Sequence, residues 1–255
     1  MINTLDVKRL SEIKSGVYSY ADGFNNCSGI DNSSHVTIGI GINNNSQNYT
    51  TYTNGYYWAE MVRQTSLQIV PFQQQVSVIG SANIELGFND PIPSRSWVNG
   101  YKAYMDYYQY AQYPLFVIGD AAGCPTISNN TTCGSVEYPN WTKSDVWYVN
   151  YGSEISYPIP EIYSNDWLQA EQWYMLSLYS ANDTSAGPML IAGAFTQNLA
   201  CQQVPSDPNC PYLDNTAEEG YKMLYTVLRS NNITNGVIDA LIYSSDISYI
   251  PIPIP

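Results

Sequence analysis

Short apolar runs alternate along the chain with longer amphipathic segments. Three of these runs end in a carboxylate or an amide, at Glu85, Asp120 and Gln197. Short apolar runs indicate buried strands, and apolar residues three and four positions apart indicate helices that pack one face against a core. The pattern therefore predicts an α/β fold in which strands and helices alternate.

The pattern predicts about eight strands, most of them followed by a helix. The predicted strands are 2–7, 35–42, 76–86, 115–119, 145–150, 160–163, 189–195 and 240–243. The predicted helices are 8–24, 54–70, one that begins at Ser94, one from Asn165 or Asp166 to about Ser180, and 217–229 after an N-cap at Asn215 or Thr216.

These elements fit a (β/α)8 barrel of TIM type, a fold that takes about 250 residues as a single domain. We expect residues 1–248 to form it. A doubly wound open sheet is the alternative, but the Gly-rich phosphate loop usual after its first strand is missing. Isoleucine and proline alternate near the end, and proline cannot pair within a central strand. Residues 249–255 are therefore predicted to be an extended, polyproline II-like tail or an edge-docking segment.

The composition points to a neutral, hydrogen-bonding surface. Charged residues make up 12% of the chain, and tyrosine occurs 24 times. The net charge of −13 repels phosphate backbones, so nucleic acid is not expected as a partner. No apolar run approaches the 18 or more residues of a membrane span, and no basic and apolar leader is visible. We interpret the chain as a mature or trimmed product of export.

Asparagine-linked glycosylation motifs support an extracellular or cell-surface location. Low lysine content and an abundance of tyrosine and asparagine are typical of exported microbial surface proteins. The motifs are N-x-Ser/Thr sequons in expected loops, where glycans can be accommodated. They occur at Asn26, Asn32, Asn44, Asn48, Asn129, Asn130, Asn140, Asn182 and Asn232.

The cysteines form two pairs of equal spacing. Cys124 and Cys133 bracket one turn-rich segment, and Cys201 and Cys210 bracket another. Two local disulfides that close surface loops are the simplest interpretation. A zinc site is the alternative, disfavoured because CxxC spacing is absent and the chain has one histidine. Cys27 is predicted to be a buried free thiol or to have a partner outside this chain.

Several stretches between about residues 22 and 246 resemble a group of exported bacterial proteins that are similar in outline to glycoside-hydrolase-like barrels. The stretches are ANIE at 82–85, SRSWVNGY at 94–101, GDAAGCP at 119–125, DVWYV at 145–149, PEIY at 160–163, QWY at 172–174 and DNT at 214–216. The resemblance implies a barrel fold and export. It also implies a second acidic residue close to Glu85 in the same strand, at the position where this chain has Asn83.

Three carboxylates are candidates for catalysis. Glycoside hydrolysis uses one protonated and one ionised carboxyl group on either side of the glycosidic bond. Glu85, Asp120 and Glu161 each lie at a predicted strand end, and a barrel gathers the carboxyl ends of its strands at one face. We expect Glu85 to be the general acid and Asp120 or Glu161 to be its partner. In the alternative interpretation each carboxylate caps a helix or binds backbone N–H groups.

Substrate binding is predicted for aromatic and amide side chains at strand ends, because aromatic rings stack on the apolar faces of sugars. The predicted set is Asn83, Trp147, Tyr148, Tyr151 and Gln197. The alternative is that these rings simply pack in the core.

Other chemistry has little support in the sequence. The single histidine, His35, precedes a predicted strand, which is the stability end of a barrel. No GxSxG elbow occurs, and no spacing matches a calcium loop. We therefore expect no metal and no cofactor.

The sequence leads to two functional hypotheses. The first is an exported, glycosylated barrel that binds or hydrolyses an extracellular or cell-wall polysaccharide. The second is a catalytically inactive surface module that assembles with copies of itself into a layer or filament.

Overall fold

A computed structural model describes residues 4–28, 33–109, 113–127, 131–134, 136–203, 210, 213–238 and 244–246. Within these ranges the chain is a mixed α/β fold. Its α-helices are α1 (Thr4–Ser28), α2 (Tyr52–Gln68), α3 (Pro91–Tyr108), α4 (Lys143–Trp147), α5 (Leu168–Asp183), α6 (Asn198–Gln203) and α7 (Ala217–Arg229). Its strands are β1 (Val36–Asn43), β2 (Val76–Ile84), β3 (Leu115–Gly119), β4 (Ser156–Pro160), β5 (Ala194–Thr196) and β6 (Ser244–Asp246).

The strands are parallel and follow one another in chain order. One sheet has the order β1-β2-β3-β4, and β5 pairs with β6 in a second sheet. A parallel bridge between Glu161 and Phe195 joins the end of β4 to β5. A doubly wound sheet reverses its strand order at one point, whereas the order among the described strands has no reversal. The described residues hold six strands, fewer than the eight of the predicted (β/α)8 barrel.

Side-chain caps fix the beginnings of three helices. Thr51 accepts a hydrogen bond from the backbone N–H of Asn54 at the start of α2. Thr142 with Asp145, and Thr216 with Glu219, form reciprocal capping boxes at the starts of α4 and α7. Each box satisfies two backbone donors that a helix end leaves unpaired. Thr216 is therefore the N-cap of the predicted helix 217–229, whose bounds are confirmed.

Helices α2 and α3 pack backbone against backbone. A Cβ added at Gly55 would lie 1.9 Å from the carbonyl oxygen of Trp97, and one at Gly100 would lie 1.9 Å from that of Tyr52. The same helix pair covers β2, where a Cβ at Gly80 would overlap the ring of Tyr101. One part of the core therefore lies between the sheet and this helix layer, where glycine sets the distance between the layers, and the buried cluster extends to α5 and α7.

Most predicted elements from β1 to β3 are confirmed. The structure differs at the N-terminus, where residues 4–28 form a single helix in place of a strand at 2–7 followed by a helix. No glycine or proline lies between Thr4 and Leu10 to stop that helix, so the helical spacing of Leu10, Ile13 and Val17 extends back without interruption.

The predicted strand 145–150 is wrong. Residues Lys143–Trp147 form α4, and Tyr148–Gly152 continue it as a π-helical turn. The capping box at Thr142 and Asp145 is a helix start signal that outweighs the strand preference of the aromatic and branched residues after it.

The later strands are shifted from their predicted positions. β4 spans Ser156–Pro160 where a strand was expected at 160–163, and β5 spans Ala194–Thr196, which overlaps only the end of the predicted strand 189–195. The predicted strand 240–243 and the predicted tail 249–255 lie outside the described residues.

Both predicted disulfides are present. Cys124 is bonded to Cys133, and Cys201 is bonded to Cys210. Such bonds persist in oxidising compartments, which suits an extracellular protein. Cys27 is exposed, contrary to the expectation of a buried thiol.

The sequons separate into exposed and buried sites. Asn44 is 1% exposed and hydrogen-bonded on both its amide atoms, so in this fold its side chain is not accessible to a glycan. Exposed sequons are Asn26, Asn48, Asn140, Asn182 and Asn232, whereas Asn32, Asn129 and Asn130 lie outside the described residues. Among the described helices, none has the length and apolar character that a membrane crossing requires.

Candidate functional site

The three predicted carboxylates share one level of the sheet. In the parallel ladders Ile84 pairs with Gly119, and Gly119 pairs with Pro160. The next residue on each strand is Glu85, Asp120 or Glu161. Residues at equal register in parallel strands point to the same face, so the three side chains emerge together at the carboxyl edge of β2, β3 and β4. We call these three residues the carboxylate cluster.

Glu85 is half-buried and lies next to the side-chain amide of Asn83. Asn83 donates a hydrogen bond of 2.8 Å from Nδ2 to Glu85 Oε1. Burial raises the pKa of Glu85, the Asn83 hydrogen bond opposes that rise, and the charge of Asp120 adds to it. Open space adjoins this strand end, since a Cβ at Gly87 would meet no atom within 4 Å.

Backbone N–H groups hold Asp120 in place. The N–H of Leu86 donates to Asp120 Oδ1 at 2.9 Å, and the N–H of Ala122 donates to the same carboxylate. Burial raises the pKa of Asp120, and the two backbone donors limit that rise because they stabilise the charged form.

Glu161 is the most deeply buried carboxylate of the three, at 3% exposure. Burial raises its pKa well above the usual range, and the charges of Glu85 and Asp120 add to the effect. Its Oε1 atom has no hydrogen-bond partner among the described residues. Tyr163 donates a hydrogen bond to the Glu161 carboxylate, and burial followed by that carboxylate's charge raises the pKa of Tyr163.

Asn44 braces the strand end that carries Glu85. Its Nδ2 donates to the carbonyl of Glu85 at 3.0 Å and to Ser94 Oγ at 3.1 Å, and its Oδ1 accepts from the backbone N–H of Glu85 at 3.1 Å. Asn89 in turn donates to the carbonyl of Asn44 at 3.0 Å. This buried network fixes the backbone at Glu85, so the position of the carboxylate is set by neighbours on β1 and α3.

Ionising all three groups of the carboxylate cluster at once costs free energy, because the groups are partly buried and their charges repel. Like charges in a partly buried site disfavour each other's ionised form, so a proton is retained within the group at a pH where an isolated carboxyl has lost it. A site that pairs a retained proton with an ionised carboxylate has the two states that general acid–base chemistry requires. For Asp120 the contacts also match the alternative interpretation, because its carboxylate accepts hydrogen bonds from two backbone N–H groups.

The predicted aromatic binding residues lie on α4 and on the π-helical turn that follows it, whereas the sequence predicted them at the end of a strand. The indole N–H of Trp147 donates to Ser180 on α5 at 2.9 Å. The guanidinium of Arg95 on α3 lies 4.2 Å from the ring centroid of Tyr148, and Tyr151 packs against the core. With the predicted strand 145–150 replaced by helix, the contacts of Trp147 and Tyr148 run to neighbouring helices. Their predicted role in substrate binding stays a prediction.

The other predicted residues are placed in different ways. Asn83 lies directly beside Glu85, as expected. Gln197 directly follows β5. Phe195 is bridged to Glu161, and Gln197 lies two residues after Phe195, so its side chain extends to the same side as that of Glu161. His35 is exposed and lies just before β1, at the amino edge of the sheet and away from the cluster.

Sequence reasoning missed two residues of the site. Tyr163 lies two positions after Glu161, which is the spacing of residues that share one side of an extended segment. Asn44 directly follows β1, but its sequon and its asparagine-rich surroundings indicated an exposed loop.

The described residues contain no group of histidine, cysteine and acidic side chains arranged to hold a metal ion. The carboxylate cluster also stands apart from a groove between α1 and α2, which is lined by residues such as Leu10, Tyr57 and Met61. The sheet edge and the groove are therefore two separate features of the surface.

Comparison of the chain with protein-family models, with curated proteins and with solved structures gave no match. The resemblance to glycoside-hydrolase-like barrels stays a prediction from the sequence.

Proposed function

We propose that the protein is an extracellular glycoside hydrolase that cleaves a polysaccharide at the carboxyl edge of its parallel sheet, within a barrel-like arrangement of strands. The observation that carries the proposal is the convergence of Glu85, Asp120 and Glu161 at one register level, with the pKa of all three raised. Parallel strands in sequential order place their carboxyl ends at one face, where barrel enzymes carry their active sites.

The three carboxyl groups take different roles in this proposal. Glu85, next to open space and with a raised pKa, donates a proton to the leaving oxygen of the glycosidic bond. Asp120, whose charge two backbone N–H groups stabilise, is the ionised partner. Glu161 is buried more deeply than the other two carboxyl groups and retains its proton in this proposal. Its ionisation would affect the pKa of Glu85 and Asp120, so it acts through them and is a positioning residue. Asn83 orients the Glu85 carboxyl through its hydrogen bond.

The test of this function is the Glu85→Gln variant. We expect it to lower the rate of polysaccharide hydrolysis by about 10²- to 10⁴-fold, the usual contribution of a general acid. The measurement is the release of reducing ends from a panel of neutral and acidic polysaccharides. Glu171→Gln is the matched control, because Glu171 is an exposed residue in the first turn of α5. Equal turnover by Glu85→Gln and the wild-type protein would overturn the assignment of Glu85.

A second function, self-assembly without catalysis, is favoured by the aromatic surface of α2 and α3. Tyr57, Tyr107 and Tyr108 are exposed there, at 40%, 76% and 43%. Exposed aromatic side chains gathered in one patch are typical of interaction sites.

A further inference from the structure

Five tyrosines on α2 and α3 are joined by ring contacts into a patch, which we call the tyrosine surface; three of them, Tyr57, Tyr107 and Tyr108, are exposed. It consists of Tyr56, Tyr57, Tyr104, Tyr107 and Tyr108. Tyr104 is the buried base of the patch, and its ring lies 5.0 Å from Tyr56 and 4.7 Å from Tyr108. The Tyr107 and Tyr108 ring centroids are 4.7 Å apart, and Tyr56 and Tyr57 are 6.0 Å apart.

The orientation of these rings makes a ridged surface. The interplanar angle is 87° for Tyr56 and Tyr57, 82° for Tyr56 and Tyr104, and 83° for Tyr107 and Tyr108, and the rings of Tyr104 and Tyr108 are tilted by 45°. A sugar chain stacks on flat, coplanar rings. Rings that stand nearly perpendicular to each other leave furrows between them, which suit a ligand with protruding apolar ridges. The tyrosine surface therefore fits an extended peptide better than a polysaccharide.

An apolar groove continues the tyrosine surface toward α1. The groove has a volume of about 290 Å³ and shares Tyr57 with the patch. Leu10 and Met61 provide apolar lining, and Lys14 and Glu60 stand among its polar residues. An apolar side chain of a docked peptide has a place to insert next to the rings.

The chain itself contains a segment of matching chemistry. Residues 250–255 alternate isoleucine and proline, and no charged residue lies between 247 and 255. Such a sequence favours polyproline II, whose ordering on binding costs little entropy and which docks on aromatic-lined grooves. We propose that the tyrosine surface binds the Pro-Ile tail of a second copy of this chain. This inference rests on self-assembly, the second proposed function, and names its partner.

The strand order separates the end of β6 from the tyrosine surface of the same copy. β6 ends at Asp246 on the carboxyl edge of the sheet, and β5, β4 and β3 lie between β6 and β2. Helix α3 runs opposite to the strands it connects, so Tyr107 and Tyr108 at its carboxyl end lie toward the other edge. A second copy is free of this separation, so the proposal commits to the tail of a second copy.

The test combines a peptide titration with a measurement of mass. The protein is truncated after Ser248 and titrated with a synthetic peptide of residues 246–255, and binding is followed by calorimetry. We expect the paired substitution Tyr57→Ser and Tyr107→Ser to weaken peptide binding at least about tenfold, or about 1.4 kcal/mol. A peptide with alanine in place of its prolines is expected to bind about tenfold more weakly as well. Tyr49→Ser is the control, because Tyr49 is 60% exposed and lies outside the patch.

Sedimentation of the full chain decides which copy supplies the tail. We expect the mass to rise with concentration, and this rise to disappear in the truncated chain and in the paired tyrosine variant. A single-copy mass at every concentration, or peptide binding that the tyrosine substitutions leave unchanged, would overturn the proposal. Polysaccharide that binds the surface in place of the peptide would overturn it too. Hydrolysis by the truncated chain is expected to equal that of the full chain. Loss of self-association therefore tests the tail proposal alone, and loss of hydrolysis tests the proposed enzyme activity alone.

Discussion

The Glu161→Gln variant is expected to be more stable than the wild-type protein at pH 8 and to lose that advantage at pH 4. Glutamine has nearly the shape of glutamate, and its amide can donate to the neighbouring carboxylates in place of repelling them. The substitution removes an ionisable group whose charged form is disfavoured by burial and by the charges of Glu85 and Asp120. We expect the gain at pH 8 to appear as a higher urea midpoint than that of the wild-type protein.

The direction follows from proton linkage. The pKa of Glu161 in the folded state is raised above its value of 4.5 in a model compound, so between those two pH values the folded state binds more protons than the unfolded state. Stability then falls as the pH rises from 4.5 through the folded-state pKa, and it stays lower above it. Glu85 and Asp120 contribute in the same direction because the pKa of each is also raised.

Urea unfolding of both proteins across this pH range is the measurement. Glu171→Gln corrects for the general effect of removing one negative charge from a chain of net charge −13. A Glu161→Gln variant whose stability runs parallel to that of the wild-type protein from pH 4 to pH 8 would show that Glu161 ionises normally in the folded state.

The second large effect is expected from Gly55→Ala. The new methyl group would lie 1.9 Å from the carbonyl oxygen of Trp97 and 2.8 Å from its carbonyl carbon, which are backbone atoms that cannot rotate away. Helices α2 and α3 must then move apart, and they also cover β2 and brace Asn44 through Ser94. We expect a loss of at least about 3 kcal/mol, at the upper end of the cost of overpacking a core.

Gly16→Ala is the matched control for this substitution. Gly16 also lies within a helix, α1, but a Cβ there would meet no atom within 4 Å. Alanine is favoured over glycine in a helix interior, so Gly16→Ala is expected to stabilise the protein by about 0.5–1 kcal/mol. Equal effects of the two substitutions on the urea midpoint would mean that α2 and α3 are not in backbone contact at Gly55.

The convergence of Glu85, Asp120 and Glu161 could be predicted because it depends on two local signals. Glu85 and Asp120 each end a short apolar run, and parallel strands connected by helices bring their carboxyl ends to one edge. The bounds of the predicted strand were wrong for the third acid. Glu161 was the second residue of the predicted strand 160–163, whereas β4 ends at Pro160 and Glu161 directly follows it.

The surroundings of the cluster could not be predicted in the same way. The segment 145–150 has the aromatic and branched residues of a strand, and only the Thr142–Asp145 capping box marks it as a helix. Asn44 belongs to a sequon in an asparagine-rich stretch, and its burial depends on tertiary contacts with Ser94 and the Glu85 backbone. Local sequence carries no signal for contacts between residues so far apart in the chain.

The central claim is that three carboxyl groups share a site which retains a proton, and the titration of Glu161 tests it most directly. The chain is labelled with ¹³C at the glutamate carboxyl carbons, and the chemical shifts are followed by NMR from acidic to alkaline pH. We predict one glutamate signal with a midpoint well above 4.5, which is missing in Glu161→Gln and moves to lower pH in Asp120→Asn. A spectrum in which every glutamate titrates close to 4.5, with no change in Asp120→Asn, would contradict the account.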